Sequence, residues 1–292
     1  MRISRIIKVL IIIFIIQSCT SSVNITQLTD EGEKAYQAGN YEAALTSWEK
    51  IIENKGKKTK GEIYVSAGKS ALALNQAEKA RTYLETARQN QYSSPELYEY
   101  LAKVYKSIDN LSKEITALET YSEKYPQGNH INEIHGRLLE TYVESENWDL
   151  ALKLWPKMEA NSQSDAHLLA QYLIVNKNLE NTEVCDKLAK QITSLDASNV
   201  IAMEYYAEKF FWLAENLYVK EMTAYKNKRT TSQYKKLLKA LDEVWPTFRK
   251  SRDYFLKLYK IDPKPEYANY LGNIYTRFDD KEKADYYYKR AK

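Results

Sequence analysis

A small residue recurs along this chain at nearly constant intervals, and that recurrence limits the fold more than anything else in the sequence. Ala44 is followed by Ala80, by Glu114 in the same slot, by Ala151 and by Cys185, at steps of 36, 34, 37 and 34 residues, and Ala284 fills the slot in a last copy. A period of this size marks a chain of stacked supersecondary units, each too small to bury its own apolar face and each packing chiefly on its neighbours. The units are helical. Only 8 glycines and 6 prolines occur in 292 residues, which leaves few strong helix breakers. Within the first unit Ala44, Trp48 and Ile51 are spaced by four and three, which places them on one helical face.

The segment GEKAYQAGNYEAALTSWEKII, Gly32 to Ile52, resembles a tetratricopeptide repeat. The resemblance implies that Gly32 and Ala35 let a first helix approach its partner, that Gly39-Asn40 form the turn, and that Tyr41 packs beside it. Supporting positions recur at Gly68, Ala71, Leu84 and Ala87, then at Leu101, Ala102, Tyr105, Leu118 and Pro126, then at Leu138, Tyr142, Trp155 and Met158. The last copy, YLGNIYTRFDDKEKADYYYKRA, runs from Tyr270 to Ala291. The fifth, Ala166 to Asn199, is the least regular, with Asn176 where an aromatic is expected. The third and fourth copies also resemble repeats of outer-membrane assembly and envelope-coordinating lipoproteins. The implied fold is all-α, a right-handed α-solenoid of about seven helix pairs.

The sixth copy is longer than the rest. It opens at Asn199 with Tyr206, Ala207 and Phe210 in their slots, but its closing Ile-Asp-Pro arrives only at Ile261 to Pro263. Apolar periodicity pauses only between about Lys226 and Tyr234, so both helices are predicted to be longer by roughly four turns, forming a projecting hairpin with a basic, polar tip from Lys226 to Ser232. Phe211, Trp212, Leu217, Tyr218, Met222, Tyr225, Leu237, Leu238, Leu241 and Val244 make this hairpin apolar, and most of them should pack within it. Pro156 and Pro246 each follow a tryptophan inside a predicted second helix, where proline removes a hydrogen bond and should kink or restart the helix.

The N-terminus has a different character. Arg2, Arg5 and Lys8 precede an unbroken apolar run from Val9 to Ile16, followed at once by Gln17-Ser18-Cys19; this is the layout of a secretory signal, and the apolar stretch is shorter than the ~20 residues a membrane-spanning helix needs. Ile16, Ser18 and Cys19 resemble the lipobox of bacterial lipoproteins, although Gln17 departs from its pattern. That resemblance implies removal of residues 1–18 and acylation of Cys19, whose several chains would anchor the protein stably at about 0.8 kcal/mol per buried CH2. Thr20 rather than Asp follows, which in that family favours the outer membrane, facing the periplasm. The expected organisation is a signal (1–18), anchor and short linker (19–24), five helix pairs (25–199), the elongated sixth pair (200–263) and a C-terminal pair (264–292).

Charge and motifs narrow the function. Removing the three signal cations leaves 40 basic against 39 acidic residues, which lacks the footprint of a nucleic-acid binder. Cys185 is the only cysteine besides Cys19 and falls where the repeat takes a small buried residue, a core thiol rather than a nucleophile. The histidines, His130, His135 and His167, show no zinc-site spacing, no phosphate loop or nucleophile motif occurs, and neither a metal, a cofactor nor catalysis is expected. The tetratricopeptide resemblance implies a groove lined by first helices that holds a peptide or partner helix. Its slots fall on Tyr36, Lys69, Glu99, Lys103, Lys106, Glu140, Glu204, Glu208, Trp212, Asn269, Asn273 and Arg277. The expected function is a membrane-anchored scaffold that recruits other envelope proteins through that groove or the hairpin, with self-association through the C-terminal repeat as a further expectation. The alternative is a glycan or peptidoglycan binder that uses exposed members of the 25 tyrosines.

Overall fold

The computed structural model describes residues 24–292; Cys19 and the signal segment lie outside the described residues. The described chain is all-α, a solenoid of helix pairs: α1 (Ile25–Gln37) and α2 (Tyr41–Lys55), α3 (Gly61–Ala73) and α4 (Ala77–Gln89), α5 (Pro95–Ser107) and α6 (Leu111–Lys124), α7 (Ile131–Glu144) and α8 (Trp148–Leu154), α9 (Ala166–Asn178) and α10 (Thr182–Leu195), α11 (Val200–Asn227) and α12 (Thr231–Ile261), α13 (Pro265–Arg277) and α14 (Lys281–Tyr288). It divides into two compact units, one ending at Ile108 and the other running from Asp109 to Lys292.

The tight turns inside the pairs share one backbone device. Gly39 takes φ +76° in the first turn, and Asn75, Asp109, Glu146, Glu180 and Asp279 take φ between +54° and +58° in the corresponding turns. The steps from Gly39 through Glu180 are the same 36, 34, 37 and 34 residues as those of the small-residue slot. A left-handed residue closes one helix and redirects the chain within three residues. It also leaves five non-glycine side chains in a costly conformation.

Packing follows a small-against-large rule. A Cβ added to Gly32 would come within 2.7 Å of the Trp48 ring, and one on Gly272 within 2.6 Å of Tyr288, so a side chain at either position would push the two helices of a pair apart. Ala44, Ala80, Ala151 and Cys185 are all essentially inaccessible to solvent, and burial pushes the Cys185 thiol up. Asn176, the irregular residue of the fifth copy, is buried and satisfied: its amide donates to the Tyr172 carbonyl at 2.8 Å and its side-chain oxygen accepts from Asn181 at 3.2 Å.

The helices of the sixth pair reach 28 and 31 residues, about 42 and 46 Å at 1.5 Å per residue. Their lower halves pack on α13, through Phe211 and Phe255 against Tyr270 and through Trp245 against Phe278. Ser251, fully buried, donates to the Ala207 carbonyl at 2.8 Å and ties the pair together. Val244, beside Trp245, is buried, and farther out Leu237 is buried and Tyr225 meets Tyr234 at 5.6 Å, whereas Trp212 and Leu213, next to Phe211, and Leu238 stand exposed. The connection at the tip is Lys228 to Thr230.

The prolines behave differently. α8 stops at Leu154 and Trp155–Lys157 continue as a single 3-10 turn, as a proline at position 156 requires, with Trp155 stacked on Tyr172 at 4.1 Å. α12, by contrast, is continuous through Pro246 and does not restart. Pro246 and Asp242, whose carbonyl loses its partner, both lie on the exposed face, where water replaces the missing bond.

Candidate functional site

In the first unit, the first helices α1, α3 and α5 present a cluster of rings and charges. Tyr36, from the last turn of α1, and Tyr100, from α5, flank Lys69 of α3, whose Nζ lies 5.2 Å from one ring centre and 5.3 Å from the other. Lys103, one turn beyond Tyr100 on α5, sits over that ring at 4.7 Å and pairs with Glu99 at 2.6 Å. Lys69 also pairs with Glu96 at the start of α5. Ring faces are negative, so two lysines against two tyrosines gain several tenths to about 1 kcal/mol per contact. Burial, and then the neighbouring Tyr100 hydroxyl, push the Tyr36 phenol up to about 12, so it is neutral and a hydrogen-bond donor at physiological pH.

Tyr36 and Lys69 open onto a cavity of about 280 Å³ also lined by Glu33, Ser66, Glu96 and Trp48. The Trp48 ring is almost wholly buried, and its indole N–H has no hydrogen-bond partner among the described residues. An unpaired buried donor costs about 1–3 kcal/mol, so an acceptor brought within its reach would recover part of that cost. Of the residues expected in this unit, Tyr36, Lys69, Glu99 and Lys103 come together, and Lys106 stands apart on the exposed face. Tyr100, which completes the cluster, was not anticipated; its signal in the sequence was its place one residue after Glu99 and three before Lys103.

In the second unit the expected residues engage one another's helices instead. Arg137 of α7 donates to Glu114 at 2.6 and 3.1 Å and to Glu140 and Glu144 at 2.8 Å. Glu114, which fills the small-residue slot, has a side chain only 3% exposed, so Arg137 neutralises a buried charge. Burial works against the Glu140 carboxylate, but hydrogen bonds from Arg137 and His167 outweigh it and hold its pKa below the usual range. Glu208 pairs with Lys177 of α9 at 2.6 Å. Glu204 accepts from the Tyr267 hydroxyl and from Lys264 at 3.4 Å. Arg277 pairs with Glu215 and lies 4.6 Å over the Tyr218 ring, and Asn273 accepts from Tyr288 at 2.9 Å. Trp212 and Asn269 are exposed.

Many tyrosines serve as struts between helices. The hydroxyls of Tyr83, Tyr105, Tyr142 and Tyr205 donate to Glu49, Glu85, Glu119 and Asp186 at 2.5–2.9 Å, and burial, then the carboxylate, raises the pKa of each phenol. Among the described residues no group of three or more His, Cys, Asp or Glu is placed to hold a metal ion, and no helix is long and apolar enough to cross a membrane.

The fold recurs in solved structures of tetratricopeptide-repeat proteins. A repeat protein from Parabacteroides merdae superposes with a TM-score of 0.52 over 91% of each chain at 13% identity. The C-terminal part of a repeat-containing protein from Cytophaga hutchinsonii gives 0.50 over 89% of this chain and 92% of its own, at 17% identity. YrrB, described as having an unusual peptide-binding site, gives 0.53 over 62% of this chain and 97% of its own, at 14% identity. No family model and no curated relative matches the sequence.

Proposed function

We propose that this chain, whose fold is that of tetratricopeptide-repeat proteins, is a scaffold held at a bacterial membrane through an acylated Cys19, and that it recruits another envelope protein through the α1–α3–α5 face. The reading rests on one observation: Tyr36 and Lys69, clustered with Tyr100 and Lys103, line a cavity that the Trp48 ring also borders. An extended peptide carries what such a surface takes, namely carbonyl acceptors for the phenol and the lysines, and apolar groups for the rings. The peptide-binding site for which YrrB is described is a precedent on the same fold. The anchor follows from the basic start, apolar run and Cys19 of the sequence, and the outer membrane, facing the periplasm, from Thr20 after it. Tyr83, Tyr105, Tyr142 and Tyr205, buried or half-buried as struts between helices, leave fewer exposed rings for stacking on sugars, which favours a protein partner over a glycan.

The test is affinity capture of the full-length protein from crosslinked membranes, comparing Lys69→Glu with a chain in which the tip residues 226–232 are replaced by a neutral turn. A stoichiometric protein partner should be recovered, its affinity falling about tenfold with Lys69→Glu, equivalent to the loss of one substantial contact, and it should persist with the altered tip. Recovery of no stoichiometric partner would overturn the scaffold reading. Loss only on altering the tip would move the contact to the hairpin.

A further inference from the structure

The loop joining α2 to α3 is the most cationic segment of the first unit, and none of the partners described for the repeat face uses it. Lys55 ends α2, Gly56–Lys58 form a 3-10 turn, and Thr59 and Lys60 lead into α3, so that four of six consecutive residues are lysines. All four are exposed, and no ion pair engages them among the described residues. The helix C-terminus accounts for a lysine at position 55, but Lys57, Lys58 and Lys60 lie beyond it.

The loop is a built feature. Gly56 turns at φ +51°, and the buried Thr59 hydroxyl donates to the Gly56 carbonyl at 2.7 Å. The Tyr92 ring packs so closely on Gly61 that a Cβ there would lie 2.2 Å from it, which fixes the loop against the segment after α4. Between them lies an open cleft of about 600 Å³ lined by Lys57, Lys58 and Lys60 on one side and the amides of Gln89, Asn90 and Gln91 on the other. Glu53 and Glu62 flank the loop in sequence, but neither lines the cleft. Its donors, three ammonium groups and amide N–H groups with no opposing carboxylate, suit the phosphate of a lipid headgroup.

Position identifies the source of that phosphate. α1 and α2 form a hairpin through residues 38–40, so the end of α2 and its lysine loop lie at the same end of the pair as the start of α1. The chain reaches α1 from Cys19 across residues 20–24, at most about 16 Å when extended. The turns at the opposite end, Ala38-Gly39-Asn40 and Leu74-Asn75-Gln76, carry no ionisable side chain; Glu42 follows the first, and Glu78 and Lys79 follow the second, where Lys79 is paired with Glu49. The cationic end is thus the end nearest the anchoring residue.

We propose that the Lys55–Lys60 loop rests on the anionic lipid headgroups of the membrane in which Cys19 is anchored, with the cleft holding headgroup phosphate. The proposal rests on the reading of Cys19 as a lipid anchor, and the loop orients the repeat face with respect to the bilayer. Each lysine near an anionic surface strengthens partition about fivefold, so the loop alone binds weakly and salt-dependently, and the anchor supplies the rest.

The experiment uses the full chain, acylated and as Cys19→Ser, on vesicles of phosphatidylcholine alone and of phosphatidylcholine with phosphatidylglycerol. For the acylated chain, amine-reactive labelling of Lys57, Lys58 and Lys60 should slow several-fold on the anionic vesicles only. For Cys19→Ser, replacing the three loop lysines by glutamine should reduce partition onto anionic vesicles about a hundredfold. Unchanged labelling, or unchanged partition of the triple variant, overturns the proposal, as does equal protection by inorganic phosphate without vesicles. Incorporation of an alkyne-tagged palmitate at Cys19 of the unaltered chain tests the anchor separately: an acylated chain with unprotected loop lysines refutes the loop alone, and failure of the unaltered chain to incorporate the tag, with its partition still dependent on the loop, refutes the anchor alone.

Discussion

The two units of the molecule use charge in opposite ways. In the first, Lys69 and Lys103 lie against the faces of Tyr36 and Tyr100 at the edge of a cavity, and the carboxylate that pairs with Lys69, Glu96, is 55% exposed. In the second, Arg137, Arg277 and Glu208 reach across helices to charges that help hold the fold, and Glu114 is nearly sealed from solvent. Ion pairs that bridge helices at low exposure fix geometry; pairs at the surface leave their members available to another molecule. The difference supports the proposal that the first unit binds the partner, while the charges of the second unit hold its helices together.

The most severe way to break this comparison is Arg137→Met. It leaves Glu114 buried without a cation, and losing one member of such a pair costs about 3–5 kcal/mol. The matching change in the first unit, Lys69→Met, leaves Glu96 in water and should cost no more than about 1 kcal/mol. Urea midpoints at constant slope give both values, and equal losses would show that the two networks do the same job.

Packing separates the units less sharply. Gly32→Ala drives a Cβ into the enclosed Trp48 ring and should cost about 1–3 kcal/mol, as overpacking of a filled core does. Gly272→Ala meets Tyr288 at a similar distance, but that ring is only partly buried and can swing out by giving up its hydrogen bonds with Asn273 and Thr276, so the smaller loss belongs there. Reversal of that order in thermal unfolding would mean that the last pair is as tightly enclosed as the first.

The helix pairs and the length of the sixth were legible because they depend on local pattern: a small residue every 34 to 37 positions, and a closing Ile-Asp-Pro delayed to Ile261–Pro263. Long-range partners were not. Glu114 broke the small-residue pattern, and its reason, Arg137, lies 23 residues away on α7. Tyr100 escaped because the register placed the face on Glu99 and Lys103 without asking which ring lies between them. Pro246 was expected to kink or restart α12; the helix does not restart there, since periodicity did not reveal that the proline faces water. The lysine loop was visible as KGKKTK, yet its meaning depends on which end of the first pair it occupies, and only the fold gives that.

The turns supply the finest test. Gly39 adopts its left-handed conformation freely, while Glu146 and Glu180 hold theirs in the second unit with exposed side chains that carry no cavity or core. A left-handed non-glycine residue costs about 1–2 kcal/mol; glycine removes that strain but loses roughly 0.5–1 kcal/mol of it again, because its greater freedom in the unfolded chain favours unfolding. Glu146→Gly and Glu180→Gly should therefore each stabilise the protein by about 0.5–1 kcal/mol, and Gly39→Ala should destabilise it by a similar amount. Asn75→Gly should gain less, because asparagine tolerates this region better than glutamate. Equilibrium unfolding of the four variants orders them, and a destabilised Glu180→Gly would mean that the glutamate side chain contributes to its turn more than its backbone costs.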